Sequence, residues 1–462
     1  MEKVHKENVA DILPLTPLQS AMLISYLAEP DGNHYKEITR YRLEGNISMD
    51  MIAEAIQAVV TKHEMLRTVF RWHNLREPIQ MILKEKPVLV YQHEIDQVGS
   101  QAQEAKVDEL EQESFREPLD IYNNPIKFDI YKLRKDAYYI TIINHHILFD
   151  GWSNSILLGE LYHALCQLVQ HKPFNLNDKP GMRNYLEFLK KRDRTQDLSF
   201  WKDYLCGVSK RTILPGIHYC PKKGTQESLV THEEDRSLYR KVKAFSATLS
   251  VSAAAAFYAA WGLLYYRENR QCDVVFGIAF DGRPPEVKNI NQIIGLFMNS
   301  VPLRIIIKEN ETIEALIHQV YSSLLMIREH QYLPFANIAA QSQMIPAGTL
   351  FDSVIVIQNY PVDSKLFTDD GSFTITLHSR KIATGARLTI EIRTFGGFFI
   401  DVSYQEQYYN EETVRELIDR YKEILLKMIE GKNRSLREVL NLEKLEKSRG
   451  QLLEGSDFFD DF

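Results

Sequence analysis

The stretch Asn144–Ser153, NHHILFDGWS, sets two adjacent histidines, an aspartate and a glycine at the end of an apolar run. Histidine has an ordinary pKa near neutrality, so one delivered to a cavity can take or give a proton there. Neighbouring residues on a strand point to opposite faces, so His145 and His146 cannot share one role. One must face the interior as a structural hydrogen bonder while the other reaches a cavity, and the pattern leaves open which. Asp150 suits an arginine or backbone amides, and Gly151 admits a close approach with no Cβ in the way. A helix starting at Trp152 or Ser153 would aim its free N–H groups at the same place. Ser153 stands too close for a nucleophile elbow, there is no GxSxG, and no cysteine lies near enough to serve as a thiol nucleophile. This favours direct transfer, with one histidine orienting or deprotonating an amine or hydroxyl at an acyl carbon and supporting the tetrahedral intermediate.

The elements that must position these residues read as mixed α/β. Thr16-Pro17 marks a helix start, HYKEITRYRLEG alternates as a strand, and MDMIAEAIQAVVTKHEMLRTVF has helical periodicity. A charged helix is expected from Gln101 to Arg116, then a hairpin of NNPIKFDIYKL and AYYITIINHH around Arg134-Lys135-Asp136. The second hairpin strand is almost wholly apolar, as in a strand covered on both faces. The following helix offers Trp152, Ile156, Tyr162, Cys166 and Val169 for an inner face. A polar stretch near 170–200 places a boundary at 178. The expected units are an N-terminal lobe over 1–178, a C-terminal lobe over 179–446 and an acidic linker tail over 447–462. The C-terminal lobe should hold a buried helix (Leu249–Tyr266), the strand DVVFGIAF and several antiparallel strands in the run beginning GSFTITL.

At 462 residues, 44% hydrophobic, 25% charged and with a net charge of −7, the chain has the composition of an ordinary globular protein. No dense basic tract suits nucleic acid, and no apolar run suits a bilayer span or a secretory leader, so a cytoplasmic location is expected. Cys166, Cys206, Cys220 and Cys272 lack metal-binding spacing and read as buried or reduced thiols, with no metal expected.

His145-His146-Ile147-Leu148-Phe149-Asp150-Gly151 resembles the HHxxxDG signature of condensation domains of nonribosomal peptide synthetases, in the chloramphenicol-acetyltransferase-like superfamily. The resemblance extends through LTPLQSAML, KHEMLRTVF, YLEFLKKR with FWKDYL, DVVFGIAFDGRPP, IIGLFMNSVPLRI, HQYLPFANI and LFDSVIVIQNYP, in family order. Lys62 departs from the usual arginine and Asp281 from the usual serine, while ATGARLTIEI is a poor match to the late motif near the acceptor channel.

The resemblance implies two acetyltransferase-like lobes in a V-shaped pseudo-dimer with a central tunnel. Carrier proteins enter it from opposite faces, the upstream one with a donor acyl or peptidyl thioester and the downstream one with an acceptor aminoacyl thioester. Both ride on 4′-phosphopantetheine arms, and no permanently bound cofactor is implied. His146 becomes the catalytic histidine, His145 a structural one, and Asp150 the partner of an arginine, with Arg283 nominated first and Arg67 second. Trp152, Ser153, Gln358 and Asn359 are the tunnel candidates, and Gly295 and Asn299 set a turn and a strand start. LTPLQ together with HHILFDGWS looks like the subclass whose donor ends in a D-residue. An adenylation domain is the implied neighbour. An epimerase on the same scaffold, a non-catalytic docking domain and a coenzyme A acyltransferase remain the alternatives.

Overall fold

The computed structural model describes residues 5–29, 33–97, 99–174, 179–213, 227–344, 350–358, 373–383, 385–394 and 397–441. The expected tail at 447–462 and Asn359 lie outside these residues. The chain begins with β1 (Val9–Pro14), α1 (Pro17–Ala28), β2 (Lys36–Gly45) and α2 (Met49–Lys62). There follow β3 (Thr68–Arg71), β4 (Ile79–Leu83), β5 (Leu89–Glu94), α3 (Ser100–Arg116), β6 (Ile126–Arg134), β7 (Ala137–His145) and α4 (Gly151–Val169). Next come α5 (Arg183–Lys191), α6 (Arg194–Tyr204), β8 (Glu227–Glu234), α7 (Arg236–Thr248), α8 (Ala253–Asn269), β9 (Asp273–Phe280), β10 (Asn299–Ile306), α9 (Ile313–His330) and α10 (Phe335–Ala339). The chain closes with β11 (Ser353–Gln358), β12 (Phe373–Ile382), β13 (Leu388–Arg393), β14 (Phe398–Gln405), α11 (Glu411–Glu430) and α12 (Leu436–Val439).

Two large sheets organise the molecule, one ordered β12-β2-β7-β6-β5 and the other β10-β9-β11-β13-β14-β8, with a small β1-β4-β3 sheet beside them. In the first, β7 is buried along its whole length. One of its faces packs on a core shared with α2 and α4, the other on smaller clusters completed by α3. This is the two-sided cover that its apolar sequence demands. The second sheet packs against a core rich in α8, α9 and α11, and α8 is buried from Ala255 through Tyr266. Among the described residues no single helix is long and apolar enough to cross a membrane.

Several elements differ from their sequence expectation. Helical periodicity after Met49 ends at Lys62, and a 3-10 turn over Glu64–Arg67 leads into β3, where Thr68, Val69 and Phe70 prefer extended backbone. Of the proposed inner face of α4, only Tyr162 is fully buried. The fully buried stripe is Ser153, Leu157, Leu158, Leu161 and Leu165, while Ile156, Cys166 and Val169 pack against the same core at its partly buried margin and Trp152 lies outside it. Strand β12 does not continue the sheet of β13 and β14. It crosses over and pairs antiparallel with β2, so Phe373 and Ile375 complete the first core. That core also draws on Met182, Tyr185 and the 287–297 segment, all beyond position 178.

Candidate active site

Strand β7 ends at His145, and the chain turns at His146 before α4 begins. Asp150 is the N-cap of α4, its Oδ1 accepting from Ser153 N at 3.0 Å, so the helix starts one residue earlier than the glycine-tryptophan pair suggested. Gly151 is its first residue and is half-buried. The turn is held from a distance as well. Thr16 caps α1 in a box with Gln19, and the fully buried Gln19 donates its Nε2 to the Ile147 carbonyl at 3.0 Å. The apolar surroundings of LTPLQ concealed this support, and its one visible signal was a glutamine three residues after a helix-capping threonine.

The two histidines do different work. His145 Nδ1 accepts from Ile147 N at 3.0 Å, and its ring lies edge-on to Tyr26. Burial holds its pKa down to about 3, so it is neutral. His146 is 4% exposed, with Nδ1 3.1 Å from the Phe149 carbonyl. A carbonyl only accepts, so the neutral ring carries its proton on Nδ1 and leaves a lone pair on Nε2. That Nε2 lies 3.4 Å from Oε2 of Glu37, a residue of β2 that the sequence reading passed over. Glu37 is 1% exposed and opposes Asn144 across the β2–β7 ladder. Its position inside an alternating strand gave no hint of this, because the pairing of β2 with β7 is a tertiary fact.

Asp150 points away from His146 into a clamp. Its Oδ1 accepts from Ser153 Oγ at 2.9 Å and lies 3.3 Å from Arg283 Nη2, while Oδ2 accepts from Phe297 N at 3.0 Å. Ser153, a tunnel candidate, is instead fully buried inside this clamp. Its Oγ lies 2.8 Å from the Gly295 carbonyl and accepts from Gly295 N and Arg283 Nη2. The Arg283 guanidinium lies over the rings of Phe297 and Trp152, and Trp152 Nε1 donates to the Asn291 carbonyl at 3.3 Å. Trp152 therefore covers the clamp. Burial works against the charge on Arg283 and Asp150 works for it. Arg67 is engaged elsewhere, donating to the carbonyls of Leu83 and Lys84.

Two sequence departures find partners. Asp281 Oδ1 accepts from Arg283 N at 3.1 Å, a task for which a serine oxygen would also serve. Lys62 Nζ ties α2 to α4 through Glu160 at 2.5 Å. Gln358, 6% exposed, donates to Glu391 Oε2 at 2.5 Å, and that same oxygen accepts from Arg380 Nη1 at 2.7 Å. Arg380 in turn pairs with Glu37, so a polar chain runs from His146 through both large sheets. Asn299 opens β10 and donates to the carbonyls of Gln331 and Leu333. Among the described residues no group of three or more His, Cys, Asp or Glu is placed to hold a metal ion, and Cys166, Cys206 and Cys272 are free.

A buried histidine at a strand end, with its second nitrogen facing an interior cluster and an aspartate turned away into an arginine clamp, defines a mixed α/β protein of the acyl-transfer type. The match to the Condensation domain family covers residues 9–449, and the chain belongs to that family. It is 25% identical over 97% of its length to Gramicidin S synthase 2 of Brevibacillus brevis, of which it spans 10%. With Surfactin synthase subunit 3 of Bacillus subtilis it shares 26% identity over 78% of its length, and 28% of that protein is covered. Among solved structures, the first condensation domain of the CDA synthetase superposes with a TM-score of 0.76 at 14% identity, covering 93% of this chain and 98% of that one. A variant of the starter condensation domain of rhizomide synthetase, solved with C8-CoA, gives 0.78 at 17% identity, covering 92% and 97%. These likenesses establish the condensation-domain fold.

Proposed function

We propose that this domain joins two carrier-bound substrates through an amide bond. A donor acyl or peptidyl thioester and an acceptor aminoacyl thioester, each on the 4′-phosphopantetheine arm of a carrier protein, meet at His146, and the amine attacks the donor carbonyl with no acyl-enzyme. The observation that carries this reading is His146 itself, buried, with Nδ1 tied to the Phe149 carbonyl and Nε2 left with a lone pair toward the interior. An α-amine has an ordinary pKa near 8, so a useful fraction arrives neutral, and positioning by His146 contributes alongside proton transfer. His145, Asp150 and Gly151 shape the turn that presents it, and Arg283 anchors Asp150. Gln358 and Asn359 are the tunnel-lining residues of this reading, with Trp152 at the clamp.

The functional units are an N-terminal lobe over 1–178, a C-terminal lobe over 179–446 and a linker over 447–462. The upstream and downstream carriers are the partners, an adenylation domain is the neighbour, and the cytoplasm is the site of action. LTPLQ with HHILFDGWS supports a donor ending in a D-residue. The chemistry calls for no resident cofactor, since pantetheine arrives with the substrates.

Mass spectrometry of carriers loaded with donor and acceptor tests this. The expected result is an elongated chain on the downstream carrier, lost in His146→Ala. Inversion of a stereocentre with no elongation would make the domain an epimerase, and consumption of small acyl-coenzyme A with carriers ignored would replace the reading by a stand-alone acyltransferase.

A further inference from the structure

The polar groups around His146 Nε2 are arranged for a ligand that donates two hydrogens. With Nδ1 protonated against the Phe149 carbonyl, Nε2 of the neutral ring is an acceptor. Glu37 Oε2 is also an acceptor and stands 3.4 Å away. Burial alone would push the Glu37 carboxyl up, but the charge of Arg380, the charge that His146 carries when protonated, and the hydrogen bonds from Arg380 and Thr39 together hold its pKa below the ordinary carboxylate value. Two acceptors at that separation repel unless hydrogens lie between them, and a single nitrogen can sit at about 2.9 Å from both.

One further observation points to a cationic or amine ligand, and another to an acceptor oxygen carried on the same ligand. Glu37 and Glu391 both bind the guanidinium of Arg380, which leaves one negative charge more than that guanidinium offsets in a buried setting. Asn144, directly opposite Glu37 in the β2–β7 ladder and 1% exposed, has its amide Nδ2 buried with no partner among the described residues. A buried donor without a partner is costly unless an acceptor oxygen meets it.

Resting on the condensation reading, we propose that Glu37 is a second anchor for the acceptor amine, its Oε2 and His146 Nε2 each holding one N–H of the same nitrogen. Glu37 attracts the acceptor in its ammonium form, which gives up its extra proton to solvent before the chemical step. Once the amine is neutral, its two N–H groups point at Glu37 and His146, and the lone pair is left to face the donor carbonyl. As the C–N bond forms, one N–H proton passes to His146 Nε2. The C–S bond then breaks, and the leaving pantetheine sulfur takes that proton, so amine and thioester become amide and thiol. Arg380 is a positioning residue that keeps the Glu37 carboxylate fixed, and Asn144 supplies a hydrogen-bond donor for a substrate oxygen.

The test uses hydrolysis-stable aminoacyl-pantetheine amides spanning the twenty side chains, with the matching compounds lacking the amine, titrated calorimetrically into the whole domain. For the best-bound side chain, the wild type is expected to prefer the amine-bearing compound by about tenfold or more, as a charge-assisted contact requires. Glu37→Gln should lose that preference. It should also raise KM for the acceptor carrier about tenfold while leaving KM for the donor carrier unchanged, a split that a purely structural role would not produce. Should Glu37→Gln fail to fold, Glu37→Asp keeps the charge for Arg380 but withdraws the carboxylate by one methylene, and the preference should fall with it. A wild type without amine preference for any side chain overturns the proposal, as does either Glu37 variant that folds and retains it. A wild type that makes no amide from loaded carriers refutes the condensation reading instead, which separates the two failures.

Discussion

Asp150 and the two histidines show how differently buried polar residues carry cost. Arg283 is nearly enclosed, and its interaction with Asp150 belongs to a clamp that also holds Ser153 and the backbone amides of Phe297 and Met298. Asp150→Ala leaves that guanidinium uncompensated, so stability should fall by about 3–5 kcal/mol, read by chemical denaturation. Normal stability with lost turnover would instead assign Asp150 to the chemistry. His145 and His63 make a separate prediction. Burial depresses their pKa values to about 3 and about 4. The unfolded chain, with ordinary histidines near 6.5, therefore takes up protons that the native state refuses. Stability is full above that value and is lost as pH falls below it, by roughly 1.4 kcal/mol per pH unit for each histidine. Denaturation midpoints from pH 7 to pH 4.5 should fall less steeply in His145→Gln than in the wild type. The cluster of polar residues in NHHILFDGWS could be seen from residue types alone, but which histidine faces what could not. That depended on Tyr26, Ile147, Glu37 and Phe149 being brought together.

At the scale of elements, the loop after β9 is decisive. Gly282 has φ +63°, and a Cβ there would stand 1.8 Å from the Phe297 carbonyl oxygen. Gly282→Ala should therefore push the loop off the clamp, at a cost of about 2 kcal/mol or more, and lower the melting temperature together with condensation. Gly282→Ala with wild-type stability would show that the loop bends freely. The hairpin of β6 and β7 was legible because its alternation, polar turn and apolar second strand are local properties of the chain. The inner face of α4 was not, since Trp152 and Leu157 are both apolar and only the neighbouring sheet decides which of them is covered. The break after Lys62 was equally hidden, because the periodicity of an apolar helix runs smoothly into the apolar residues of β3.

For the whole molecule, the crossing of β12 onto β2 matters most. It places Ile375 in the first core although its sequence neighbours β11 and β13 belong to the second sheet. Ile375→Ala should cost about 2–5 kcal/mol as a buried large-to-small change. Because β12 is the edge strand beside β2, amide exchange should quicken in β2 before it does in β14, as measured by hydrogen–deuterium exchange. Equal effects on both strands would mean that the two sheets unfold as one unit. The same crossing sets Arg380 between Glu37 and Glu391, which belong to different sheets, so the anchor proposed for the acceptor amine depends on both halves of the chain being in place.

By itself, the sequence determined what is local and chemical: a mixed α/β chain, a covered strand ending in two histidines, an aspartate suited to an arginine, and a set of ordered motifs that resemble one family. Only the tertiary structure decided the partners. Register between β2 and β7 set Glu37 beside His146, the approach of the 283–298 segment enclosed Asp150 and Ser153, and the crossover strand linked the two sheets through Arg380. Except for Arg380 and Glu391, which are eleven positions apart, these contacts join residues more than a hundred positions apart. Hydrophobic pattern and local spacing constrain which face a residue shows, but they hold no information about which distant segment will meet it there.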